Sequence, residues 1–145
     1  PGDACGISAE QRVRELAANL DVRDEFMELD PSAIFALPGA LSQHRTRDLP
    51  TAVAGDAGRQ DLDPLNAVHK LAGHMLLDAL PSPTLALATD AQVGFEIVRA
   101  AAAAGFGAVA TTAGVTSMAV ELARATNTVL VGEVGAERFS VYAGA

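Results

Sequence analysis

The sequence predicts one α/β domain of three layers, α/β/α, in which helices cover both faces of a mostly parallel sheet. Three observations predict it. The second half of the chain alternates short apolar runs, TLALAT (84–89), GAVATT (107–112) and TVLVGEV (128–134), with the helical patterns VGFEIVRAAAAAG (93–105) and TSMAVELARAT (116–126). That alternation is the signature of βαβ units with right-handed crossovers. Half of the residues are hydrophobic, yet Ala and Val supply most of them, with only five Phe, one Tyr and no Trp. Small side chains let helices lie close on a sheet, unlike the bulky core of a sandwich. A length of 145 residues suits a single domain with a substantial core.

Ser8 is placed as the N-cap of a first helix over 9–20, because Val13, Leu16, Ala17 and Leu20 share one stripe at helical spacing. DPSAIFALPGALSQH (30–44) reads as a short helix that starts after Asp30 and is disturbed at Pro38 and Gly39. Residues 43–61 are polar and without period, so they read as a loop with one short strand at Thr51–Ala54. Within one domain spanning 1–145, residues 1–60 are therefore expected to be helices and irregular loop, and 61–145 regular βα units. Asp63 as N-cap and Pro64 at the first helical position start the next helix. After the two βα repeats, RFSVYAG (138–144) reads as a fourth strand.

Ten Lys and Arg against eighteen Asp and Glu give a net charge of −8, which argues against DNA or RNA as a partner. One nucleotide in a local pocket remains compatible with it. A single cysteine forms no internal disulfide, and a reducing cytoplasm is the natural setting. The longest apolar run, RAAAAAGFGAVA, is broken by glycines and too short to span a bilayer. The N-terminal stretch has no apolar signal region. The chain opens on Pro rather than Met, which reads as a processed or truncated N-terminus.

In a parallel sheet, ligands bind where strands end and helices begin. That places TDAQVG (89–94) and TTAGVTS (111–117) at the edge of interest, both small and polar enough to bring a ligand to backbone N–H groups. Neither a Walker loop nor a G-x-G-x-x-G follows any strand, and no G-x-S-x-G elbow exists. His69 and His74, five apart on one helix, lie about 140° from a common face, so no metal site is expected. Thr116 and Ser117 read as a helix cap or as donors to an anion; Glu96 and Glu121 suit the starts of their helices. Arg138 is either an exposed strand-edge residue or an anion contact. Cys5, in DACGIS, is either a small apolar packing residue or a reactive thiol.

The C-terminal stretch TSMAVELARATNTVLVGEVGAERFSVYAGA resembles the end of the FdhD family of formate dehydrogenase accessory sulfurtransferases. That family closes with a T/S-S-L-A-V-E-L-A helix, a T-L-V-G strand and R-F-N-V-Y-A-G, matched here by Thr116–Ala123, Thr128–Gly132 and Arg138–Gly144. GFEIVRAA resembles its S-F-E-L-V-Q-K-A helix, NAVHKLAG its N-A-x-D-K-x-I-G helix, and ACGIS stands where it has C-G-x-C-G. The resemblance runs in order from Cys5 to Gly144.

It implies a cytidine-deaminase-like domain without bound zinc. It also implies a persulfide carrier that takes sulfur from a cysteine desulfurase and passes it to the bis-guanine-dinucleotide molybdenum cofactor of formate dehydrogenase. Cys5 is then the carrier. Asn66, Lys70, Gln92, Thr116, Ser117 and Arg138 are the groups facing that cofactor, or a guanine nucleotide. Members associate through this domain, which implies a homodimer in the cytoplasm. The departures are specific: Ser8 stands for the second motif cysteine, excluding a two-thiol relay, and the family's T-G-G-x-H segment has no counterpart. Its E-D-V-G-R-H-N-A-x-D-K run becomes QDLDPLNAVHK, with Asp61, Asn66 and Lys70 kept but Pro64, Leu65 and His69 in place of Arg, His and Asp. The S-G-R turn becomes Asp90, Ala91 and Gln92. Losing both arginines removes two bidentate phosphate donors. These losses support an alternative expectation, a non-catalytic module of the same fold that serves dimerisation, partner binding or nucleotide binding.

Overall fold

The computed structural model describes residues 9–18, 20, 22–78 and 85–144. Helix α1 (Ala9–Ala18) packs on the helix later in the chain that carries Leu122. The segment after it is tied to the same place: Asn127 Nδ2 donates to the Arg23 carbonyl at 2.7 Å, and Arg23 N–H to the Thr126 carbonyl at 3.4 Å.

Helix α2 (Pro31–His44) starts where expected, with the Asp30 carboxylate accepting from Ser32 N at 2.8 Å. The break expected at Pro38 and Gly39 does not occur; the helix runs through both. Ile34 and Leu41, two turns apart and 3% and 4% exposed, seat one continuous stripe on the sheet. That burial outweighs the local cost of a proline within a helix.

Strands β1 (Thr51–Ala54) and β2 (Ala57–Gln60) form an antiparallel hairpin closed by Gly55 and Asp56, with Gly55 at φ 56°. The reading of 57–60 as loop is thereby corrected. AGRQ carries no apolar alternation because it is an edge strand, half-exposed throughout and held by backbone pairing.

Then follow α3 (Pro64–Leu77), β3 (Ala86–Thr89), α4 (Phe95–Ala103), β4 (Ala108–Thr111), α5 (Ser117–Thr126), β5 (Val129–Gly132) and β6 (Ser140–Ala143). The sheet order is β2-β1-β3-β4-β5-β6. The central strands β3, β4 and β5 are parallel, while β1 and β6 join them antiparallel, so the fourth strand closes the sheet in the opposite sense.

Strand alternation divides the core in two. Leu87, Val109 and Leu130 face α3, α4 and α5, and pack with Val68, Leu71, Val98, Phe106, Leu122 and Ala123. Ala108, Ala110, Val129 and Val131 face the other way, onto Ile34 of α2, and Val53 and Ala88 meet Leu41. The central strands are buried on both faces, hence their unbroken apolar runs. The three-layer α/β/α class expected from the sequence is the class observed.

Candidate functional site

The C-terminal ends of the three parallel strands make one rim of the sheet. Thr89 ends β3 and Thr111 ends β4, each 1% exposed, and their hydroxyls organise the turns that follow. Thr89 Oγ1 accepts from Ala91 N at 3.2 Å. Thr111 Oγ1 donates to the Ala91 carbonyl at 2.6 Å and accepts from Ala113 N at 3.0 Å. Val93 and Val115 add a parallel bridge, with Val93 N–H on the Gly114 carbonyl and Thr116 N–H on the Val93 carbonyl, both 3.0 Å. The two βα turns therefore form one hydrogen-bonded ledge. Thr116 caps α5 by accepting from Ala119 N at 3.2 Å; Gly94 opens α4 with no side-chain cap.

On the β1 side, Asp90 Oδ1 accepts from Thr51 N at 2.9 Å, and the Arg45 guanidinium lies 3.9 Å from Oδ2. At the start of α3, Lys70 Nζ lies 2.5 Å from the Asp61 carboxylate and 3.2 Å from the Gln60 carbonyl. The hydrogen bond from Lys70, then that from Asp63 N–H, holds the Asp61 carboxyl below the usual carboxylate range; Asn66 adds a smaller contribution of the same sign. On the β6 side, Glu133 takes φ 48° after β5, and both its carboxylate oxygens lie 2.8 Å from the Tyr142 hydroxyl. That hydrogen bond to Glu133 raises the Tyr142 phenol above its ordinary value.

The residues expected to face a nucleotide fall at three stations along this rim. Asn66 and Lys70 gather around Asp61. Gln92 and Ser117 are exposed on the turns either side of the Val93–Val115 bridge, next to Thr116. Arg138 is exposed beyond β5, where its carbonyl accepts from Gly135 N at 2.9 Å. Cys5 lies outside the described residues. Sequence reasoning placed Asp90 on the rim but missed its pairing with Thr51, and it missed the Glu133–Tyr142 pair. The only available signal was that Tyr142 is the chain's single tyrosine.

Fold and rim define a three-layer α/β domain whose linked βα turns lie along the C-terminal edge of a central parallel sheet. The chain belongs to the FdhD/NarQ family, whose model matches residues 2–145. It is 31% identical over 153 aligned residues to a sulfur carrier protein FdhD of Corynebacterium efficiens, covering 97% of this chain and 55% of that protein. With the sulfur carrier protein FdhD of Anaeromyxobacter sp. strain K it shares 43% identity over 102 residues, 65% of this chain and 33% of the relative. A crystal structure from Desulfotalea psychrophila, described as a formate dehydrogenase accessory protein, matches with a TM-score of 0.75 at 19% identity, over 90% of this chain and 60% of that one. The chain spans about half the length of the curated relatives that it matches end to end. Among the described residues, no helix is long and apolar enough to cross a membrane.

Proposed function

We propose that this chain is a sulfur carrier: Cys5 accepts a persulfide sulfur and passes it on to the molybdenum bis-guanine-dinucleotide cofactor that serves a formate dehydrogenase. The observation that supports this reading is the family match over residues 2–145, which includes the chain's single cysteine. In the loading step, the Cys5 thiolate attacks the terminal sulfur of a persulfide on a cysteine desulfurase. The donor's S–S bond breaks, its thiolate leaves, and Cys5 carries the new persulfide. The cofactor is then the substrate, with Asn66, Lys70, Gln92, Thr116, Ser117 and Arg138 as the groups along the rim that address its nucleotide portions. A cytoplasmic homodimer belongs to the same reading.

The test is the intact mass after incubation with a cysteine desulfurase and free cysteine. A gain of about 32 Da, one sulfur atom, that is absent in Cys5→Ser supports the reading. No gain, where a relative with both motif cysteines loads, overturns it. A second reading, the non-catalytic module, draws on a specific observation: Lys70 is engaged with Asp61 and Gln60, and Thr116 with its own helix. It expects no sulfur adduct and an unaltered fold in Cys5→Ser.

A further inference from the structure

An open cleft of about 460 Å³ lies between the C-terminal end of α2, the loop after it and the edge strand β2. Its walls include His44, Thr46, Arg47, Gly58, Arg59 and Gln60, and no carboxylate lines it. This lining runs against the net charge of −8 carried by the whole chain. The neighbouring cations are committed elsewhere: Arg45 to Asp48 and Asp90, Lys70 to Asp61. Arg47 and Arg59 have no carboxylate partner among the described residues.

The cleft is built on an ordered scaffold. Gln60 Oε1 accepts from Thr46 N at 3.1 Å, Thr46 Oγ1 at 3.0 Å and Arg47 N at 3.2 Å. Its Nε2 lies 2.9 Å from the Arg47 carbonyl, 3.1 Å from that of Leu49 and 2.9 Å from Thr51 Oγ1. One side-chain amide thus pins the loop that carries Arg47 to the strand that carries Arg59. Arg59 Nη1 donates to the Gly58 carbonyl, another wall of the cleft, at 2.7 Å. Gly58 is itself required there, because a Cβ would come within 2.6 Å of His44 Cβ, and its absence lets the imidazole lie against the strand.

We propose that this cleft binds a phosphate-bearing small molecule, with Arg47 and Arg59 as the recognition residues. Guanidinium groups present planar forks that match phosphate oxygens, and they do so at full strength where no carboxylate competes. The volume exceeds what orthophosphate needs and falls within the range of small-molecule sites. The proposal rests on neither Cys5 nor sulfur transfer, and it uses none of the six rim residues named above.

The experiment is calorimetric titration of pyrophosphate into the wild-type chain, Arg47→Gln, Arg59→Gln and Arg47→Lys, with Arg99→Gln on the exposed face of α4 as the charge-matched control. Thermal melts establish that each variant is folded. The expected result is a loss of affinity of about tenfold or more in each Arg→Gln variant, a smaller loss in Arg47→Lys, and less than twofold in the control. Absence of binding by the wild type, or equal losses in all variants including the control, overturns the proposal. Orthophosphate and nucleoside diphosphates form separate arms. A nucleoside diphosphate that binds more tightly than pyrophosphate and depends on the same arginines identifies a nucleotide; equal affinity identifies the phosphate group alone. Persulfide loading of Cys5, measured on the same variants, is expected to be unchanged, so failure here and failure of the sulfur-carrier reading are distinguishable.

Discussion

Replacing Thr111 by Val removes one oxygen and keeps the shape of the side chain, which isolates what that hydroxyl contributes to the ledge. Thr111 is 1% exposed; its hydroxyl donates to Ala91 and accepts from Ala113, at 2.6 and 3.0 Å. The variant leaves one carbonyl and one amide without that partner. Leaving a fully buried polar group unsatisfied costs about 1–3 kcal/mol, but Ala91 and Ala113 are only half-buried and recover part of it from water. The expected loss is about 2 kcal/mol in total, or a fall in Tm of roughly 4–8 °C for a domain of this size. Urea unfolding followed by far-ultraviolet circular dichroism reads the loss as a lower midpoint with an unchanged slope. Hydrogen exchange at the Ala113 amide is expected to accelerate with it. A loss under about 0.5 kcal/mol with unaltered exchange would refute the claim that Thr111 ties the two turns together.

Further expectations concern the rest of the rim and the α2 face. Tyr142 is the only tyrosine and there is no Trp, so phenolate absorbance reports one group; Glu133→Gln should lower its titration midpoint toward 10.0. Because the folded value is raised, the contribution is present below the ordinary phenol value and is lost as pH rises through the folded one. An unshifted midpoint in the variant would sink this assignment. Asp61 has the opposite sign: its carboxyl is depressed, so the stability difference between wild type and Lys70→Met should be present above the ordinary carboxylate value of 3.8 and be lost as pH falls through the depressed folded one. Gly58→Ala should destabilise by about 1–3 kcal/mol through overpacking on His44, and adding His44→Ala should recover much of it in a double-mutant cycle. Pro38→Ala should raise stability by about 1 kcal/mol or more, since an unbroken α2 has to absorb the proline; no change in the melt would indicate a helix already relaxed around it.

The stretch from β3 to β5 was legible in the sequence because those strands are buried on both faces and their helices on one. Residues 86–88, 108–110 and 129–131 had to be apolar whatever else the protein does. β2 was not legible: AGRQ is half-exposed and paired through its backbone, so no side-chain pattern records it. At Pro38 a local rule lost to tertiary packing, since Ile34 and Leu41 both need the sheet. The rim could be located from topology, because turns after parallel strands fall on one edge. Its pairings could not, because Asp90 with Thr51, and Glu133 with Tyr142, depend on antiparallel strands joining at either side. The cleft beside β2 was hidden for the same reason as β2 itself.

The packing of α1 on α5 also limits where chemistry at Cys5 can take place. Four residues of chain lead from Cys5 to Ala9, the first residue of α1, so the thiol's Cα lies within about 14 Å of that point. Docking of α1, and the tie between Arg23 and Asn127 behind it, fixes the centre of this sphere relative to the sheet. On the proposed sulfur-carrier reading, a sulfur on Cys5 is confined to that radius. The same reading then requires an acceptor bound farther along the rim to reach back to it, through its own size or through a second protein that brings the two together.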